Sequence, residues 1–222
     1  DAALQKLPVR FCMDRAGLSP DDGPTHHGLF DIAMIRSIPN IVFMQPKDEA
    51  EFVHMLRTMN HYQNGPTVIR YPRGCGAGTP APAKAEILPI GKAEVLQTGQ
   101  DVTLVSLGTM IGIARETASL LEARGYTVTL INARFIKPLD DECIRRHAAR
   151  SRVVCTFEDH SISGGFNSAV LESLETGDVK TPVEAIAWPD QFIEHGSESI
   201  LRKKYGLTAE AALQKIIPHL NS

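Results

Sequence analysis

The segment DGPTHHGLFDIA, residues 22–33, sets His26 and His27 side by side at a loop-to-helix junction, directly after Asp21 and Asp22. An imidazole titrates near neutral pH, so one of the pair can move a proton or donate a hydrogen bond to a substrate oxygen, with Asp22 to orient it. The helix start, near Gly28 or Leu29, adds unpaired N–H groups and a partial positive charge that favour an anion. Plainer readings make Asp21 or Asp22 a turn residue and one histidine a cap. Adjacent residues point apart and no further Cys or His lies at ligand spacing, which argues against zinc. The local pattern favours a functional role for one of the two histidines.

Two arginines follow predicted strands, where ligands bind in open α/β sheets. MDRAG places Asp14, Arg15 and Gly17 after the first strand. There a guanidinium either forks onto a phosphate or carboxylate or pairs with Asp14 on the surface. RYPRG places Arg73 after a later strand and before Gly74. Together Arg15 and Arg73 would form a two-armed clamp for a phosphorylated substrate. Arg70 lies deeper in its strand, and a structural ion pair is the better reading for it. FEDHSISGGFNSA, residues 157–169, reads as an acidic strand end before a Gly-Gly helix start. It suits either an anion or a close backbone contact between domains or subunits. It is not a G-x-G-x-x-G fingerprint. His160 and His195 stand alone and read as structural.

These residues need a scaffold of strands that end where helices begin. PVRFCMD, NIVFMQ and PTVIRYP read as strands, with helices over LFDIAMIRSI and from Asp48 onward. In the second helix, Asp48 followed by Glu51 is a variant of the capping box. RGCGAGTPAPAKAEILP is rich in Gly, Pro and Ala and reads as an extended linker. Beyond it, KAEVLQTG and DVTLVSLG read as a hairpin or paired strands. A helix over residues 109–125, the strand YTVTLINA, the helix DDECIRRHAARS, the strand RVVCTFE, a helix entered through Gly164 and Gly165, the strand VEAIAW and two C-terminal helices complete the pattern. Strands alternating with helices predict two α/β units with mostly parallel sheets. The expected division is 1–78, a linker over 79–88, and 89–222, with the first unit lacking its opening strands.

Bulk properties narrow the function classes. The 222 residues carry a net charge of −3, which gives no electrostatic case for nucleic acid. The longest apolar runs are too short to span a bilayer, and no basic-then-apolar leader opens the sequence. Its four cysteines, at positions 12, 75, 143 and 155, form no C-x-x-C pair, which fits a reducing cytoplasm. The abrupt, Met-less opening DAALQKLPVRFCMD suggests that residue 1 lies inside a longer polypeptide.

Taken in order, DRAG, DGPTHHGLFD, IPNIVFMQPKDEAE, NGPTVIRYPRG, LPIGKAEVL, NARFIKPLD and FEDHSISGG resemble the 1-deoxy-D-xylulose-5-phosphate synthase family. These are thiamine-diphosphate enzymes of the transketolase superfamily. The resemblance implies the later half of a pyrimidine-binding domain followed by a transketolase C-terminal domain. It implies decarboxylating condensation of pyruvate with glyceraldehyde 3-phosphate, opening a route to isoprenoids. It places Arg15 and Arg73 on the substrate phosphate and Asp22 and His26 beside the reacting carbons. His27, where many relatives have glutamine, becomes a supporting neighbour. The family's G-D-G motif and its activating glutamate are absent from this sequence. Thiamine diphosphate and Mg2+ are therefore expected mainly on an N-terminal portion of the same enzyme, with no cofactor or metal ligand here, in a homodimer. Competing readings are transketolase itself, the β chain of a 2-oxoacid dehydrogenase, or, for the chain alone, a non-catalytic dimerisation module.

Overall fold

The computed structural model describes residues 1–221. The first part of the chain runs β1 (Arg10–Met13), α1 (Asp31–Arg36), β2 (Val42–Met44), α2 (Glu49–His61) and β3 (Thr67–Arg70). After an irregular stretch come β4 (Glu94–Gln97), β5 (Val102–Ser106), α3 (Ile111–Glu122), β6 (Val128–Asn132) and β7 (Phe135–Lys137). The chain ends with α4 (Asp141–Ala148), β8 (Val153–Ser161), α5 (Phe166–Thr176), β9 (Val183–Trp188), α6 (Glu198–Tyr205) and α7 (Ala209–Leu220).

Two sheets result. In the first, β1, β3 and β2 are parallel neighbours, and β7 joins antiparallel beside β2. In the second the order is β4-β6-β5-β8-β9, parallel except for β4. β2, β3, β5, β6 and β8 are buried along their whole length. Their near-continuous apolar runs are what parallel strands covered on both faces require. The expected pairing of KAEVLQTG with DVTLVSLG does not form. β5 is buried on both faces and takes the centre between β6 and β8, so the half-exposed β4 is left to the edge beside β6.

The first sheet's last strand thus comes from the later part of the chain. At β7, Phe135 lies opposite Met44 and Lys137 opposite Phe43. The cores are shared as well. Ile32, Phe43 and Val68 pack in one apolar cluster with Val105, Leu107, Ile131 and Phe166. Leu18 and Leu29, which flank the histidine-bearing loop, sit in the cluster built around Val102, Leu104 and Trp188.

Asp48 caps α2 by accepting from the Glu51 N–H at 2.8 Å, and Glu51 accepts back from the Lys47 N–H at 2.8 Å. The stretch between β3 and β4 has no regular structure and lies along α2. Its backbone N–H groups at Gly78, Glu86 and Leu88 donate to Glu49, His54 and Thr58 at 2.7, 2.9 and 2.8 Å.

Candidate active site

The loop between β1 and α1 is closed at its base by a short backbone bridge. Gly17 and Gly28 exchange hydrogen bonds at 3.0 and 2.8 Å, and the Ala16 N–H donates to the Tyr71 carbonyl just beyond β3 at 3.0 Å. The approach is tight enough that a Cβ at Gly28 would collide with the Arg15 carbonyl. Arg15 itself has φ of +60°, a left-handed conformation that costs a non-glycine residue of order 1 kcal/mol. Residues 17–28 therefore form one excursion on a fixed neck.

Within it, charge converges. Arg15 donates to Asp14 at 2.8 Å and to Asp22 at 3.3 Å. Arg73, reaching over from the end of β3, forms a close ion pair with the same Asp22 oxygen, and Asp21 lies 3.9 Å away. The hydrogen bond from Arg73, reinforced by Arg15 against partial burial, holds the Asp22 carboxyl below its usual range. Both arginine side chains stay accessible, 37% exposed at Arg15 and 44% at Arg73.

The two histidines have different surroundings. The His26 ring is exposed, with Nδ1 3.0 Å from Thr25 Oγ1. Asp22 does not orient it, because both guanidiniums compete for that carboxylate and win. His27 is buried; its Nδ1 accepts from the Ser19 N–H at 2.9 Å, which leaves Nε2 as the donor facing the Glu194 carbonyl at 3.5 Å. His27 braces the loop from within.

The helix start offers no seat for an anion. α1 begins at Asp31, later than expected, and has six residues. The Ile32 N–H is taken by the Asp31 carboxylate at 3.0 Å and the Ala33 N–H by His160 Nε2 at 3.3 Å.

Arg70 is fully buried. Its guanidinium meets Asp31 at 2.9 Å, Gln45 at 2.6 Å, the Gly28 carbonyl at 2.9 Å and the Asp159 carbonyl at 3.2 Å. The structural reading holds for this residue. Gln45 and Asp159 were not singled out individually by sequence, although they lie in the segments NIVFMQ and FEDHSISGGFNSA.

Residues 158–161 are the last four of β8, so the acidic strand end forms as expected, and it is buried. Glu158 accepts from the Phe166 and Asn167 N–H groups at 2.6 and 2.8 Å and closes the start of α5. Burial pushes its carboxyl up to about 8, against those two bonds. His160 Nδ1 donates to the Ser161 carbonyl at 2.7 Å. The Gly164 carbonyl accepts from Arg36 at 2.7 Å, and Arg36 also pairs with Glu172 at 2.6 Å. This segment makes a close-packed contact between the two sheets' units.

A cavity of about 580 Å³ opens beside the cluster, lined in part by Phe52, Tyr71, Gly74, Cys75, Thr109 and Arg115. Neighbours of Arg73 line it, but Arg73 itself, Arg15, Asp22 and His26 do not. The structure thus brings Arg15, Asp22 and Arg73 together, with His26 on the same loop but out of hydrogen-bonding contact with them.

Comparison with known proteins gives a consistent picture. The transketolase pyrimidine-binding domain family matches residues 1–77, and the transketolase C-terminal domain family matches residues 91–211. A 1-deoxy-D-xylulose-5-phosphate synthase of Methylacidiphilum infernorum is 51% identical over 225 residues, covering 100% of this chain and 36% of that protein. One from Acidobacterium capsulatum is 51% identical over 221 residues, covering 99% of this chain and 35% of that protein. The chain therefore spans about a third of the length of these relatives. A solved structure described as a split-gene transketolase, an inactive β4 tetramer, superposes with a TM-score of 0.87 at 30% identity, covering 99% of this chain and 69% of that one. Two domain matches in sequence order, on two mostly parallel sheets, show that this chain belongs to the transketolase family.

Proposed function

We propose that the chain is the C-terminal portion of a 1-deoxy-D-xylulose-5-phosphate synthase, which joins pyruvate to D-glyceraldehyde 3-phosphate and releases carbon dioxide. The observation that carries this reading is the convergence of Arg15 and Arg73 on one accessible carboxylate, Asp22. Two guanidiniums aimed at a single oxyanion are a ready seat for a phosphate. In this reading the aldehyde's phosphate takes the place that Asp22 holds in the free chain. Asp22 is thereby released to the substrate's carbon chain, on the same loop as His26. The exposed His26 imidazole then hydrogen-bonds or protonates a substrate oxygen. Arg70, His27 and the Gly17–Gly28 neck hold the loop while this exchange occurs.

In this reading the enzyme uses thiamine diphosphate together with Mg2+. Among the described residues no group of three or more His, Cys, Asp or Glu is placed to hold a metal ion. Without such a group the metal–diphosphate end of the cofactor has no holder here, so we assign it to the N-terminal portion of the same enzyme, and the whole to a homodimer. We place the enzyme in the cytoplasm, on the scattered free cysteines; no helix among the described residues is long and apolar enough to cross a membrane.

The deciding experiment supplies this chain with its N-terminal portion, in one polypeptide or by mixing, and offers pyruvate and glyceraldehyde 3-phosphate. Ketose phosphate and carbon dioxide in equal amounts are expected. Turnover of two sugar phosphates instead would make it a transketolase, and acyl transfer to a lipoyl group a 2-oxoacid dehydrogenase subunit. Failure of any N-terminal partner to restore turnover would favour a dimerisation module.

A further inference from the structure

We propose that Asp159, on β8 of the second sheet, is a positioning residue for the Arg15–Asp22–Arg73 cluster of the first. It acts as a wedge against Gly17 that fixes the neck of the 17–28 loop. This rests on reading that cluster as the substrate-phosphate seat.

The Asp159 side chain is buried and rigidly held. Its carboxylate accepts from Trp188 Nε1 at 2.6 Å and from Arg202 Nη2 at 3.3 Å. Trp188 is itself fully buried in the core of the second sheet's unit. The carboxylate lies so close to Gly17 that a Cβ there would fall inside it. Gly17 has φ of +78°, so the chain turns at the point where the wedge presses. The other side of the neck is held by the same stretch of β8. The Ser161 N–H donates to the Leu29 carbonyl at 2.9 Å, and Arg70 joins the Gly28 and Asp159 carbonyls at 2.9 and 3.2 Å. Leu18 and Leu29 anchor both ends of the loop in the same apolar cluster as Trp188. Arg15 stands two residues before Gly17 and Asp22 five residues after it. A neck displaced by the width of a water molecule would part the guanidiniums from their shared oxygen, since hydrogen bonds weaken steeply beyond their normal range. Asp159 has no direct bond to Arg15, Asp22 or Arg73 and acts through Gly17.

The test compares Asp159→Ala and Asp159→Asn in the complete, cofactor-loaded enzyme. Alanine removes the wedge; asparagine keeps its shape and the acceptor for Trp188. For alanine, KM for glyceraldehyde 3-phosphate should rise roughly tenfold, equivalent to about 1.4 kcal/mol. KM for pyruvate should stay within about twofold, well under that 1.4 kcal/mol. The preference for phosphorylated over phosphate-free glyceraldehyde should shrink by the same factor, and asparagine should restore most of it. A loss of active enzyme with both KM values unchanged, or equal rises in both, overturns the proposal. Should the alanine variant not fold, Arg202→Met, which removes one support of the carboxylate, must give a smaller shift of the same kind; no shift overturns it. Hydrogen exchange separates this from failure of the parent reading. If the wild-type enzyme makes no ketose phosphate, the functional reading falls. Faster exchange confined to residues 14–28 in the available variant would still support the wedge, and unchanged exchange would reject it.

Discussion

Arg70 and Arg73 stand at the end of one strand in opposite surroundings. Arg70 is wholly buried, and its guanidinium spends its donors on Asp31, Gln45 and two carbonyls. Arg73 is 44% exposed and holds only the carboxylates of an accessible loop. A buried pair whose partners are fixed cannot exchange them, because either charge left alone would be desolvated without compensation. An accessible pair loses little when one anion replaces another. The difference teaches where a ligand can enter: at the arginine whose partner is free to leave.

The largest expected effect comes from breaking the buried member. Arg70→Met leaves Asp31 and Gln45 without their partner and should destabilise the protein by about 3–5 kcal/mol. Denaturant unfolding would measure it, and Arg70→Lys should fail to rescue, since an ammonium cannot reach four acceptors in a plane. Next, Arg73→Ala in the complete enzyme should weaken glyceraldehyde 3-phosphate by about 1.5–3 kcal/mol, a charge-assisted bond's worth, with pyruvate and the melting temperature nearly unchanged. Equal losses for both substrates in steady-state kinetics would remove the contrast between the two arginines.

The histidine pair repeats the comparison on a smaller scale. His27→Ala strands the buried Ser19 N–H and should cost about 1–2 kcal/mol of stability. His26→Ala, at an exposed ring, should stay within about 0.5 kcal/mol of wild type in stability yet lower turnover. A melt and a rate on each variant would show whether the roles divide this way. A separate expectation is a slope with pH. The Glu158 carboxyl sits at about 8 in the folded chain because burial disfavours its charge, and near 4.3 when unfolded. The folded state therefore holds an extra proton between those values. Its contribution is fully present below about pH 4.3 and lost as pH rises through about 8. Glu158→Gln should flatten stability across that window; an unaltered slope in thermal melts would assign it to other groups.

The sequence made the alternation of strands and helices readable because buried parallel strands are apolar throughout and helices carry their own caps, as at Asp48. Arg15 and Arg73 could be brought together from strand-end position alone, since the ends of parallel strands lie on one side of a sheet. Three things were not legible. β7 is only Phe135–Lys137, too short to show a period. The partner of Asp22 depended on which charges the fold brings within reach, and arginine from β3 displaced the expected histidine. Asp159, His160 and Ser161 are covered by Gly17, Ala33 and Leu29, far earlier in the chain, and no local pattern encodes that.

The strand lent by the later half of the chain to the earlier sheet has a mechanical consequence. A proteolytic nick in the proline-rich stretch between Arg73 and Pro89 would sever the covalent path yet leave the halves clasped through β2 and β7. The two pieces should elute together until denatured. Whatever opening and closing the enzyme performs must then be found in loops or against other polypeptide, because these halves move as a single lever.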